Sequence, residues 1–223
     1  MNIMKNIIFD MDGVLMDSWD ATNDAFLKMK FRGNTLEEVT ANHIAYCMNK
    51  PWHSKSEKFS KEKYEYILGV MHTMYEIVIK DPRYVPFTAF LDELGKVPDS
   101  RFALVSSNGS KHVTNFISLT DIKFTHALSF VDGTSKEDKI EKITRDWDIG
   151  TNDFLYITDS LADVYELETF MPKKNIIGVA WGYCGYDVLA KELPPEQILK
   201  EFTDIHKVTA LTNIIKNRND ISI

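Results

Sequence analysis

The segment FDMDGVLMDS, Phe9 to Ser18, closes an apolar run that begins at Ile3 and sets two carboxylates, Asp10 and Asp12, just before Gly13. The run Ile3–Phe9 is apolar without alternation, which predicts a strand buried on both faces. In extended backbone, residues two apart point to the same side, so Asp10 and Asp12 can face one small volume. At the carboxyl end of a strand in an open α/β sheet, that volume is where ligands bind. Two acids held there suit a hard divalent cation, or a nucleophile paired with a general acid/base. Asp-Gly is also ordinary turn chemistry. A calcium loop is excluded, because Val14 stands where an oxygen side chain is required and no glycine follows it.

Four further runs read as strands: Phe102–Ser106, Ala127–Val131, Phe154–Thr158 and Ile176–Ala180. Helical spacing lies between and after them, with Ile140, Ile143 and Trp147 in Lys136–Trp147, and Val208, Leu211, Ile214 and Ile215 near the end. Together they predict an α/β fold with a parallel, Rossmann-like sheet. The stretch after the first strand breaks the alternation, reading as helix over Asp17–Lys30, Thr35–Met48 and Ser60–Lys80. In the last of these, Tyr64, Ile67, Leu68, Met71, Tyr75, Val78 and Ile79 mark one face. Asp81-Pro82 ends it, and Pro86 reopens a shorter helix toward Leu94. A helical insertion is expected, with joints near Met16–Trp19 and Asp81–Pro86.

The chain has 223 residues, 44% of them hydrophobic, enough for a sizeable core. Its net charge of −7 argues against general nucleic-acid binding, which needs phosphate neutralisation. Cys47 and Cys184 form no zinc or redox motif and read as reduced thiols. No apolar run is long enough to span a bilayer. Asp10 and Asp12 interrupt the N-terminal apolar stretch, so it does not read as a signal peptide. A cytoplasmic protein is expected.

FDMDGVLMDS resembles the first motif of the haloacid dehalogenase-like superfamily of phosphotransferases, in particular the phosphoglycolate phosphatase and β-phosphoglucomutase-like subgroup. The resemblance implies that Asp10 is the nucleophile and Asp12 the general acid/base. It also implies three later signatures, and all occur in order. RFALVSSNGS supplies a phosphate-binding Ser107 with Asn108 and Gly109 behind it; Ser106 is the register alternative. SFVDGTSKEDKIEKI supplies Lys136, with Lys139 as second choice, and lacks the proline that follows this lysine in many relatives. FLYITDSLADVYEL supplies Asp159 and Asp163, with Thr158 where relatives usually carry glycine. The implied metal is Mg²⁺, held by Asp10, Asp159 and the backbone carbonyl of Asp12, while Asp163 orients Lys136 or a metal-bound water. IIGVAWGYCGYDVL and LPPEQILKEF are similar to the tail of phosphoglycolate-phosphatase-like members. Gly178, Gly182 and Gly185 follow the last strand in a spacing unlike a dinucleotide fingerprint and read as turn residues.

The long gap between Asp12 and Ser107, against 22 residues between Lys136 and Asp159, implies a helical C1-type cap. In family terms the cap is residues 17–86, and 1–16 with 87–223 form the α/β core. The implied function is Mg²⁺-dependent hydrolysis of a small phosphorylated metabolite through an aspartyl-phosphate, with no nucleic-acid or membrane partner. A phosphosugar mutase and a non-catalytic binding or regulatory protein are the alternatives. Metal-free dehalogenation is disfavoured by Asp12, which those relatives lack. The cap loop that reaches the leaving group would lie near Asn49, Lys50, Pro51 and His53. Lysines 50, 55, 58, 61 and 63, against Glu57 and Glu62, form either a cationic cap edge or solvent-facing charge. Trp52 and Cys47 read as packing residues.

Overall fold

The computed structural model describes residues 4–49 and 59–207. Lys50, Pro51, Trp52, His53, Lys55 and Lys58, and the helix expected around Val208–Ile215, lie outside the described residues. Six strands form one parallel sheet: β1 (Lys5–Phe9), β4 (Ser100–Val105), β5 (Phe124–Leu128), β6 (Phe154–Thr158), β7 (Ile176–Val179) and β8 (Ile198–Leu199). Their spatial order is β5-β4-β1-β6-β7-β8, a doubly wound arrangement whose order reverses beside β1. Alternate residues of β1 feed two separate cores. Ile7 and Phe9 join Leu104, Leu155 and Ile177 on one face, whereas Ile8 joins Ala103, Tyr156 and Ile176 on the other. Every one of these side chains is almost wholly buried, which is why the run shows no alternation.

Two short strands, β2 (Met16–Asp17) and β3 (Val85–Pro86), pair antiparallel. The chain between them forms α1 (Trp19–Lys28), α2 (Leu36–Met48) and α3 (Lys61–Val78). Thr35 and Ser60 sit just outside α2 and α3, where their hydroxyls accept from the amides of Glu38 and Lys63. The expected face of α3 is the covered one, with Tyr64, Ile67, Leu68, Met71 and Tyr75 half-buried. Met74 and Val78 are buried, and Ile79 is exposed. Next comes α4 (Thr88–Gly95), followed by α5 (Ser110–Ser118), α6 (Lys136–Trp147) and α7 (Leu161–Leu167) between the core strands.

Two strand expectations need correction. The third core strand runs over Phe124–Leu128 rather than Ala127–Val131, because Ser129 starts a 3₁₀ turn over Phe130–Asp132 and bonds the Asp132 carboxylate. It is an edge strand, with Thr125 exposed, so continuous hydrophobicity does not mark it. The two-residue strand β8 lies inside a Pro-rich stretch too short for any periodicity.

Candidate active site

Loops at the carboxyl ends of β1, β4 and β6 and the inner walls of α1–α3 enclose a cavity of about 460 Å³. Asp10, Asp12, Ser107, Asn108, Lys136, Asp159 and Asp163 all line it. Asp10 leaves β1 with its amide bonded to the Ile157 carbonyl, 2.9 Å, which locks it beside β6. The chain then folds into a tight loop in which the Met11 carbonyl accepts from the amides of Val14, Leu15 and Met16. Gly13 makes that loop possible with φ +73°.

Lys136 opens α6, capped by Ser135, and is 3% exposed. Its Nζ lies 2.7 Å from Asp10 Oδ1 and 2.8 Å from Asp163 Oδ2. Its backbone amide donates to Glu166 Oε1 at 2.6 Å, so Ser135 and Glu166 fix the helix start where relatives use proline. Burial works against the ammonium charge, but Asp10 and Asp163 hold its pKa above the ordinary lysine value. Lys139 is buried too, yet it points elsewhere, donating to the Ser106 carbonyl at 2.8 Å. Ser106 is consumed structurally, its hydroxyl accepting from the Asn108 amide, which leaves Ser107 on the cavity wall.

Asn108 Nδ2 donates to Asp12 Oδ2 at 2.6 Å. Asp163 Oδ2 also takes hydrogen bonds from Tyr156 at 2.8 Å and Thr158 at 2.7 Å. Thr158 thus turns its hydroxyl to Asp163, and its β-branch is absorbed by the fold rather than crowding Asp159. Asp159 Oδ2 accepts from the Tyr183 amide at 2.7 Å. A Cβ on Gly182 would stand 2.2 Å from Asp159 Cβ and 2.7 Å from the Gly13 carbonyl, and one on Gly13 would overlap the Asp159 carboxylate. Gly182 is therefore a close-approach residue for Asp159, more than a turn former. Tyr183, Glu166, Gly182 and Arg32 belong to this neighbourhood, and no local motif marks them. Asn49 is exposed, its amide donating to the Ala45 carbonyl, and it does not line the cavity. Lys50 falls outside the described residues. Lys61 pairs with Glu65 in solvent, and Lys63 lies over the Phe59 ring.

The carboxylates carry more negative charge than the lysines offset. Burial raises Asp10 to about 7 despite the Lys136 ammonium beside it. Burial also raises Asp12 and Asp159, and lifts Glu166 to about 7. A hard dication suits such a donor set of oxygens. Among the described residues no three acidic, imidazole or thiol side chains converge to cage an ion by themselves.

The sign of the pH dependence follows. A native carboxyl titrating near 7 holds a proton that the unfolded chain has already released, so stability falls as pH rises through that value. His43, pushed down to about 3 by burial, and His112, also lowered, act oppositely, mostly below their unfolded value of 6.5 and only weakly as the unfolded imidazoles lose their last protons above it. Lys139, pushed down to about 8, acts above the window. The metal-free protein is therefore expected to melt lower at about pH 7.5 than at pH 6.5, by roughly 1–3 °C per titrating carboxyl, less what the histidines offset. Calorimetry in chelator checks this; a higher melting temperature at the higher pH would contradict the burial of these acids.

The sequence matches the family profile of haloacid dehalogenase-like hydrolases over residues 7–166. No curated protein matches. Among solved structures, a hydrolase from Pseudomonas syringae superposes with TM-score 0.69 at 13% identity, covering 95% of this chain and 99% of that one. A predicted phosphoglycolate phosphatase from Haemophilus somnus gives 0.60 at 19% identity, over 94% and 99%. A provisionally named β-phosphoglucomutase from Bacteroides vulgatus gives 0.63 at 16%, over 96% and 90%. Identities this low establish a shared fold, while the profile match spans well over half of the chain. With the sheet order and the strand-end carboxylates, it makes the chain a member of the haloacid dehalogenase-like hydrolases.

Proposed function

We propose that this protein is a Mg²⁺-dependent phosphomonoesterase acting on a small phosphorylated metabolite, with Asp10 as nucleophile and Asp12 as acid/base. The observation that carries the reading is the Asp10 carboxylate held by Lys136 at 2.7 Å in the same cavity as Asp12. Asp10 and Asp159, with the Asp12 backbone carbonyl, would hold Mg²⁺, whose charge offsets the repulsion between an attacking carboxylate and a phosphate dianion. Lys136, Ser107 and Asn108 bind the phosphoryl oxygens. The Asp10 oxygen forms a bond to phosphorus as the ester P–O bond breaks, and Asp12 gives its proton to the departing alkoxide. Burial raises the Asp12 pKa, which favours the proton-bearing form this step needs, and the Asn108 amide orients it. Asp12 then takes a proton from water as the water oxygen bonds phosphorus and the Asp10–phosphorus bond breaks, releasing phosphate. Asp163 positions Lys136. The helices α1–α3 act as the cap that excludes bulk water. The two buried free cysteines, Cys47 and Cys184, suit a reducing compartment such as the cytoplasm.

Hydrolysis of p-nitrophenyl phosphate with Mg²⁺ tests the reading. Turnover should vanish in chelator and return with Mg²⁺, whereas chelator-resistant turnover, or none, would overturn it. Analysis of sugar-phosphate products separates a phosphatase, which releases phosphate, from a mutase, which returns an isomer. Gly182→Ala should push Asp159 aside and raise the Mg²⁺ concentration for half-maximal activity by about ten- to a hundredfold. An unchanged metal requirement would remove Asp159 from the metal site.

A further inference from the structure

The cavity is built asymmetrically. Its sheet end carries the four aspartates and Lys136, whose ammonium meets Asp10 and Asp163 and so serves the phosphoryl end of the cavity. Its helical walls are mainly apolar, presenting Phe26, Phe31, Ile67, Val70, Met71 and Met74, with Thr22 and Tyr66 as scattered hydroxyls, a surface better matched to a hydrocarbon body than to the many hydroxyls of a sugar. Among the described residues, one cation interrupts that wall. Arg32 lines the cavity from the turn after α1, with φ +69°, a left-handed conformation that side chains with a Cβ rarely adopt. Its guanidinium carbon lies 4.3 Å from the Tyr46 ring centre, 5.3 Å from Phe26 and 5.6 Å from Phe31. Nη1 reaches the Asn42 carbonyl at 3.3 Å, and the Arg32 carbonyl accepts the Asn42 amide at 2.5 Å, fixing the turn. Nε is buried without a partner. Among the described residues, the ionisable neighbours that bear on Arg32 are His43, Tyr46 and Cys47, and none is a carboxylate.

A half-buried guanidinium in an aromatic setting, with no carboxylate beside it among the described residues, is suited to receive an anion. We infer that Arg32 is a specificity-determining residue that receives a carboxylate on the leaving group, and that the body joining this carboxylate to the phosphoryl group is apolar. A single guanidinium matches the one charge and planar fork of a carboxylate. A second phosphate dianion would call for a further cation, and among the described residues the cavity offers only Lys136. The inference rests on reading the Asp10 end as the phosphoryl-transfer centre and assigns the substrate class of that same site.

The test compares para-carboxyphenyl phosphate with phenyl phosphate in wild type, Arg32→Gln and Arg32→Lys, with a hexose phosphate as third substrate. The quantity read is the ratio of kcat/KM for the carboxylated ester to that for the uncharged one. Comparing that ratio between wild type and variant cancels general effects on cavity packing and the difference in leaving-group reactivity between the esters. Arg32→Gln should lower the ratio by about ten- to a hundredfold, and Arg32→Lys should restore part of it. An equal ratio in wild type and Arg32→Gln, or a wild-type preference for the hexose phosphate, would overturn the assignment. If no ester is turned over, the phosphatase reading fails separately. Arg32 is then read by calorimetric binding of para-carboxybenzylphosphonate against benzylphosphonate. Loss of the carboxylate preference in Arg32→Gln upholds the inference, and an unchanged preference overturns it.

Discussion

Asp10→Asn is expected to abolish turnover, by about four orders of magnitude or more, while leaving the fold and the melting temperature nearly intact. The amide fills the volume of the carboxylate but is a poor nucleophile, and it removes one charge from the proposed metal site. Stability should survive because the carboxylate is not a stabilising group here. Burial pushes its pKa up to about 7, so its ionised form is disfavoured near neutral pH even with Lys136 at 2.7 Å. Replacing it with a neutral isostere relieves that cost, and Lys136 retains Asp163. Steady-state kinetics beside a thermal melt check both halves. Substantial activity in a folded Asp10→Asn protein would exclude a covalent route through this residue.

Lys136→Met should damage both stability and activity. The ammonium is 3% exposed and is the cation that meets Asp10 and Asp163. Removing it leaves buried carboxylates uncompensated, at a cost of about 3–5 kcal/mol in the metal-free protein. Turnover should fall by about 10²–10³-fold through loss of a donor to the phosphoryl oxygens. Without the ammonium the Asp10 carboxyl gives up its proton still less readily, so the stability deficit should shrink as pH falls below 7 and grow as it rises. The double variant Lys136→Met/Asp10→Asn removes a surplus charge along with the cation. It should recover part of the stability and none of the activity. Additive stability losses in the double variant would show that Lys136 does not act through Asp10.

Much of the site was legible because its residues lie at strand ends. Asp10 and Asp159 close apolar runs, and the order of those runs puts β1 beside β6, so two separated sequence patterns meet at one edge. Lys136 stood out by its place in the motif order despite the missing proline, and Ser135 and Glu166 explain how the helix start holds without it. The closeness of Gly182 to Gly13 depends on where the loop after β7 returns over the sheet. No local pattern records that. Arg32 was equally hidden, because one arginine in a turn looks like a solvated charge until the fold places it on the cavity wall. The edge strand β5 and the two-residue β8 escaped for a simpler reason. Short or half-exposed strands lack the continuous hydrophobicity that burial on both faces imposes.

The covalent role of Asp10 can be read directly. Asp12→Asn should slow hydrolysis of the intermediate by about 10²-fold or more, since no group then deprotonates the attacking water. Acid quench of Asp12→Asn during turnover of an activated aryl phosphate, followed by peptide mass spectrometry, should find one phosphoryl group on the peptide carrying Asp10. Hydroxylamine should release it. Turnover with that peptide unmodified throughout the first cycle, or with the phosphoryl group on another residue, would contradict Asp10 as the nucleophile.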